Sequence, residues 1–133
     1  MTYYLDSNII VYFIKGLSEN VRDTLRKQSP KDVKIPSVVK AELLVGAYKS
    51  QNVKKNLEVL EQTLSLYEVV PFDDVASEIY GKFRAKLEAE GKIIGPNDLF
   101  IAATVLSRGG ILVTNNTKEF SRVEGLQLDN WCR

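Results

Sequence analysis

Four short apolar runs, Tyr3-Tyr4-Leu5, Val33-Lys34-Ile35, Tyr67-Glu68-Val69-Val70 and Ile111-Leu112-Val113, alternate along the chain with stretches whose apolar residues recur at helical spacing. That alternation constrains the fold more than any other feature. Strands separated by helices are expected to lie parallel, with helices covering both faces of the sheet. The reading is an α/β, three-layer domain on a short parallel sheet of four or five strands. A chain of 133 residues can bury one sizeable core and not two, so residues 1–133 are expected to form a single domain.

Helix boundaries follow from local chemistry. Asp6-Ser7-Asn8 are cap-favouring residues ahead of Ile9 to Ile14, and Gly16 stops that helix. Ser18 caps a second helix with Val21 and Leu25 on one face, after which Pro30-Lys31-Asp32 makes a loop. Pro36-Ser37 opens a third, with Val38, Ala41, Leu44, Val45 and Tyr48 as its expected buried face. In a fourth, Val53, Leu57, Leu60 and Leu64 form the stripe. Asp73 or Asp74 caps the longest, in which Val75, Ile79, Phe83 and Leu87 repeat every four residues until Gly91. Pro96 suits the first position of the next helix, which buries Ile101, Ala102, Val105 and Leu106 and ends at Gly109-Gly110. Trp131 reads as a core plug.

The chain has no histidine, which excludes serine–histidine hydrolases, cysteine–histidine proteases, histidine-ligated zinc and histidine proton shuttles. Its one cysteine, Cys132, permits neither an intrachain disulfide nor a cysteine-rich metal site. The net charge of +1 hides a segregation, because residues 15–55 hold ten basic and four acidic residues and the remainder is net acidic. A polyanion partner is compatible with that asymmetry. So is a solvated basic surface carrying Arg22, Arg26, Lys27, Lys49, Lys54 and Lys55. No signal peptide is visible and the longest apolar run, Ile9 to Ile14, is too short for a membrane span, so a cytoplasmic setting with no membrane contact is expected.

In open α/β sheets, ligands bind beyond the carboxyl ends of the strands. Asp6 follows the first strand, Thr114, Asn115 and Asn116 follow the fourth, Asp98 falls in the first turn of a helix, and Glu42 lies early in the third helix. Taken singly, each acid has a structural role open to it, as helix cap, dipole-compensating residue or solvated side chain. With 36 residues from Asp6 to Glu42 and 56 from Glu42 to Asp98, spacing alone does not bring them together.

Four strings taken in order are more specific. They are Tyr4-Leu5-Asp6-Ser7-Asn8-Ile9-Ile10, then Ile35-Pro36-Ser37-Val38-Val39-Lys40-Ala41-Glu42-Leu43-Leu44-Val45-Gly46, then Gly95-Pro96-Asn97-Asp98-Leu99-Phe100-Ile101-Ala102-Ala103, then Leu112-Val113-Thr114-Asn115-Asn116. In order and spacing they resemble the PIN-domain family across nearly the whole chain, and within it the VapC toxin nucleases of type II toxin–antitoxin systems. The C-terminal stretch from Thr114 to Phe120, with Val123, Gly125-Leu126 and Asp129-Asn130-Trp131, resembles the initiator tRNA(fMet) endonuclease branch.

The resemblance implies that Asp6, Glu42 and Asp98 form an acidic cluster for Mg²⁺ or Mn²⁺. Asp6 and Asp98 would be the main ligands, and Glu42 a ligand through water or the group that orients the attacking water. Hard carboxylate oxygens suit these ions, and clustered carboxylates raise one another's pKa until a cation reverses the tendency. An ion that acidifies its own water also removes the need for a histidine base. The implied activity is metal-dependent endoribonucleolytic hydrolysis of RNA, with initiator tRNA as the implied substrate. The implied partner is a small antitoxin protein, laid as apolar helix or extended chain against Ile9, Ile10, Tyr12, Phe13 or the basic helix after Ser18. A homodimer is implied as well.

The chain departs from the family pattern at one place. Many members carry a fourth acid just after the Thr-Asn or Thr-Arg of the fourth strand, where Asn116 stands here. Either Glu119 takes up that role, or the site holds one metal firmly and a second only with substrate. Thr114 reads as a hydroxyl orienting an acid or as a strand-end turn residue. The alternative function is a catalytically weakened PIN-like module that holds RNA or a protein. Aspartate-nucleophile phosphatase chemistry needs a second Asp two residues after Asp6, and Asn8 occupies that position.

Overall fold

In the computed structural model, which describes residues 1–133, strand β1 (Tyr3–Leu5) runs into helix α1 (Ser7–Lys15) through Asp6 alone. Asp6 is the N-cap, with extended backbone and a side chain that accepts the Ser7 N–H, and Gly16 adopts the left-handed conformation (φ 64°) that ends the helix. Helix α2 (Glu19–Lys27) is capped by Ser18, whose hydroxyl accepts the Val21 N–H at 3.2 Å. A single 3-10 turn at Pro30–Asp32 stands where a plain loop was expected, and leads into β2 (Val33–Pro36), α3 (Ser37–Tyr48) and α4 (Val53–Leu64). Then follow β3 (Glu68–Val70), α5 (Asp74–Ala89) capped by Asp73, and α6 (Pro96–Arg108) with Pro96 in its first turn. Strand β4 (Ile111–Val113), the one-turn α7 (Thr117–Phe120) and β5 (Gln127–Asp129) complete the chain. No helix is long and apolar enough to cross a membrane.

The five strands lie in the order β3-β2-β1-β4-β5, every neighbour parallel, in the α/β arrangement expected. The chain builds outward from β1 through β2 to β3, then returns to the other side of β1 for β4 and β5. The order therefore reverses between β1 and β4, and a crevice opens at the carboxyl ends of those two strands. Leu5 pairs with Val113, so the next residues, Asp6 and Thr114, leave the sheet side by side. The entry of β4 beside β1 depends on Gly110. A Cβ there would lie 2.6 Å from the Tyr4 ring and 2.9 Å from the Thr2 carbonyl oxygen.

Most helix faces match the periodicity: Val21, Leu25, Leu60, Leu64, Ile101, Ala102 and Val105 are buried, and Trp131 packs edge-on to Tyr3 at 5.3 Å. Helix α3 differs. Its buried residues are Val39, Leu43 and Ala47, while Val45 and Tyr48 of the expected face are exposed. Apolar residues occur on every side of this helix, so their period does not select a face. On α5, Val75 is likewise exposed and Ala76 takes the buried place. Helix α5 packs along α6. Tyr80 stacks on Phe100 with ring centroids 4.3 Å apart, and Phe72 meets both edge-on. This aromatic cluster fixes the first turns of α6, where Asp98 sits.

Candidate functional site

Asp6 is 6% exposed at the end of the central strand. Its Oδ1 accepts the Ser7 N–H at 2.8 Å and its Oδ2 accepts the Thr114 hydroxyl at 2.7 Å. Thr114 is fully buried, and its Oγ1 also accepts the Asn116 N–H at 3.0 Å, so one hydroxyl ties the carboxylate to the corner after β4. Burial raises the Asp6 pKa, the bonds from Thr114 and Ser7 oppose that, and the charges of Glu42 and Glu119 add to it.

Glu42 reaches the same crevice from α3. The Ser7 hydroxyl donates to Glu42 Oε1 at 2.6 Å, and the Asn97 amide makes a long contact to Oε2 at 3.5 Å. Ser7 thus bridges two acids, with its N–H on Asp6 and its hydroxyl on Glu42. Sequence reading does not single out Ser7 or Asn97. Their signal was adjacency, since each precedes or follows a candidate acid at a helix start.

Asp98 and Glu119 complete the group. Glu119 Oε1 accepts the Gly95 N–H at 2.8 Å and Oε2 accepts the Asn116 amide at 2.9 Å, whereas Asp98 Oδ2 has a 3.5 Å contact from that amide and shares a proton-bearing hydrogen bond with Glu119. The better-served carboxylate keeps its charge. Glu119 is held low by the Gly95 N–H and Asn116, while burial and the neighbouring acids Asp6, Glu119 and Glu42 push Asp98 up to about 7. Asn116 here acts as a donor between two acids, so Glu119 and not Asn116 supplies the fourth carboxylate of the crevice.

The structure therefore brings Asp6, Glu42, Asp98, Thr114, Asn116 and Glu119 into one hydrogen-bonded group. No salt bridge reaches any of the four carboxylates, and the charges that act on Asp6 and Asp98 are those of other acids. Ser7 bridges Asp6 and Glu42, Asn116 touches Asp98 and Glu119, and no three carboxylates close on a common point as a ready-made cage. That donor set fits a hard divalent cation of the magnesium kind, which takes one or two carboxylates directly and fills its other positions with water and substrate phosphate. Asn115 points elsewhere, its amide donating to the Tyr12 hydroxyl at 2.9 Å.

A groove of about 390 Å³ between α1, α3 and α4 opens onto the crevice, with Ser7 and Glu42 at its polar end. Its apolar wall includes Val11, Ile14, Leu43, Ala47, Val59 and Leu60. Of the residues expected to meet a partner, Ile9 and Ile10 are buried in the core; Tyr12 and Phe13 do not line this groove, whose far side is α4.

Comparison with known proteins agrees with this geometry. The PIN domain family model matches residues 3–126. The tRNA(fMet)-specific endonuclease VapC of Shigella flexneri is 40% identical over 131 residues, covering 98% of each chain. Ribonuclease VapC2 of Rickettsia felis is 39% identical over 132 residues, again 98% of each. Among solved structures, DNA-bound VapBC from Salmonella typhimurium superimposes with a TM-score of 0.93 at 36% identity, covering 99% of both chains.

Proposed function

The chain belongs to the PIN-domain family, and on that premise we propose that it is an Mg²⁺- or Mn²⁺-dependent endoribonuclease, the toxin of a toxin–antitoxin pair. The observation that carries the proposal is the gathering of Asp6, Glu42, Asp98 and Glu119 at the reversal of strand order with no salt bridge to balance them. Asp6 and Asp98 would hold the ion directly and Glu42 through water, with Glu119 beside Asp98 as the fourth acid. When bound, the ion supplies positive charge to the phosphate oxygens and acidifies a water, which answers the absence of histidine.

The chain's own residues set up that chemistry. Thr114 and Ser7 each occupy one Asp6 oxygen, which fixes the carboxylate plane and leaves its remaining lone pairs for the ion. Ser7 also fixes Glu42, so this acid is placed to orient the attacking water toward the phosphorus. Asn116 holds Glu119 in place beside Asp98, with which Glu119 shares a hydrogen bond.

The substrate reading is a transfer RNA, by similarity to the Shigella flexneri relative named for tRNA(fMet). The partner is a small antitoxin, supported by the VapBC neighbours and by the apolar groove beside the acids. An occupant reaching the polar end of that groove meets Glu42, so a cationic side chain suits it there.

Cleavage of total RNA and of purified tRNA(fMet) by the protein, with Mg²⁺ or Mn²⁺ and with EDTA, tests the reading. Discrete fragments that require metal and vanish in folded Asp6→Asn and Asp98→Asn variants are expected. Equal cleavage by the variants, or none by the wild type on any RNA, would leave the binding-only alternative.

A further inference from the structure

Four clustered carboxylates repel the phosphates of an RNA strand, so a substrate stays in place only if cations nearby hold its backbone. Of the basic residues prominent in the sequence, Arg22 is already paired with Asp23.

A different set stands beside the site. An open cleft of about 680 Å³ runs between the C-terminal half of α5, the turn at residues 91–95 and α7. Lys86, Lys92, Lys118 and Arg122 line it, against Glu90 and Glu124. Lys82 lies one helical turn before Lys86 and extends the row along α5.

Helix α7 and the turn at residues 91–95 connect this cleft to Glu119. Lys118 and Arg122 flank Glu119 in sequence, Arg122 Nη1 donates to the Ile93 carbonyl at 2.7 Å, and Glu119 accepts the Gly95 N–H. Helix α7 is thereby clamped to the turn that leads directly into the Asp98 helix. Lys86 and Glu124 form the cleft's one ion pair, at 3.0 Å, with side chains 50% and 81% exposed. Such a pair is weak in water and exchanges readily for phosphate. Lys92 and Lys118 are exposed and unpaired.

We infer that this cleft is the track for the RNA backbone, in which phosphates seated on Lys86, Lys92, Lys118 and Arg122 deliver the adjoining phosphodiester to Asp98 and Glu119. The substrate class rests on the ribonuclease reading, whereas the location rests on the cleft. An acidic peptide is the lesser match, because Lys118 and Arg122 flank Glu119, a member of a cluster suited to a divalent cation with phosphate among its ligands.

The test is fluorescence anisotropy with labelled tRNA and a labelled single-stranded oligoribonucleotide, in an Asp98→Asn background where cleavage does not interfere. Lys92→Glu with Lys118→Glu is expected to weaken binding by about tenfold or more, and each Lys→Ala alone to flatten the slope of log K against log salt by about 0.7 to 1. Reversal on α2, Arg26→Glu with Lys27→Glu, should leave binding within about twofold. With native acids, the cleft variants should raise KM more than they lower kcat, since these lysines position the strand and do not touch the reacting atoms.

Unchanged affinity and slope in the cleft variants overturns the inference, as does an equal loss from the α2 reversal or equal displacement of RNA by poly-glutamate. Should the double variant fail to fold, the single alanine slopes decide. A wild type that cleaves while the cleft variants bind and cleave normally removes the track and keeps the nuclease. A wild type that never cleaves, with RNA still lost on cleft reversal, removes the nuclease and keeps the track.

Discussion

Replacing Asp98 with asparagine should stabilise the metal-free protein at alkaline pH while abolishing its chemistry. The Asp98 carboxyl is raised from 3.8 to about 7 in the folded chain, chiefly by burial and by the charges of Asp6 and Glu119. Between those values the folded state keeps a proton that the unfolded state has released. Stability from this group is thus fully present below about pH 4 and is lost as pH rises through about 7. A sealed group with that difference would contribute ~4 kcal/mol. Asp98 is only half buried, and solvent screening reduces the figure to about 2 kcal/mol.

Burial moves Asp6 in the same direction and reinforces the trend, while Glu119, held low by its donors, opposes it. Urea denaturation in EDTA measures the balance. Asp98→Asn should exceed the wild type by about 2 kcal/mol at pH 8, roughly 6–10 °C in Tm for a chain of this length, and by under about 1 kcal/mol at pH 5. Millimolar Mg²⁺ should then stabilise the wild type and not the variant. A variant no more stable than wild type at pH 8, or an excess that does not shrink in acid, would refute the idea that uncompensated negative charge strains this site.

Thr114→Val keeps the shape but removes a donor to Asp6 and an acceptor for the Asn116 N–H. It should destabilise by about 2–4 kcal/mol and lower metal-dependent cleavage, with Thr114→Ser recovering most of both; a melting temperature equal to wild type would count against the tether. Gly110→Ala drives a methyl to 2.6 Å from the Tyr4 ring and 2.9 Å from the Thr2 carbonyl oxygen and should lose about 1–3 kcal/mol in chemical denaturation, whereas a loss below about 0.5 kcal/mol would mean that both the ring and the backbone before β1 yield. Gly46 lines the groove and a Cβ there meets nothing within 4 Å. Gly46→Phe should keep or slightly raise stability, leave RNA cleavage intact and prevent co-purification of the antitoxin; retained co-purification would move the docking site elsewhere.

The parallel sheet, the caps at Asp6, Ser18 and Asp73 and the stop at Gly16 were legible because each depends on chemistry within a few residues. The buried side of α3 was not. With apolar residues all round, its phase is chosen by what α1 and α4 leave open, which is tertiary information. The acids were recognisable as a group only through resemblance, since Asp6, Glu42, Asp98 and Glu119 come from four separate elements. The roles of Ser7 as a bridge and Asn116 as a donor depend on side-chain direction, and no local pattern encodes that. The basic segregation of residues 15–55 is a feature of the sequence, whereas Lys92 and Lys118, 26 positions apart, come to one cleft only through the fold.

The bond from Thr114 to Asp6 joins residues 108 positions apart, and the pairing of β4 with β1 spans a similar distance. A fragment ending before Ile111 lacks β4, Thr114 and Glu119 together. The acid cluster therefore forms with the whole sheet or not at all, and no stable piece of the chain carries a part-built site.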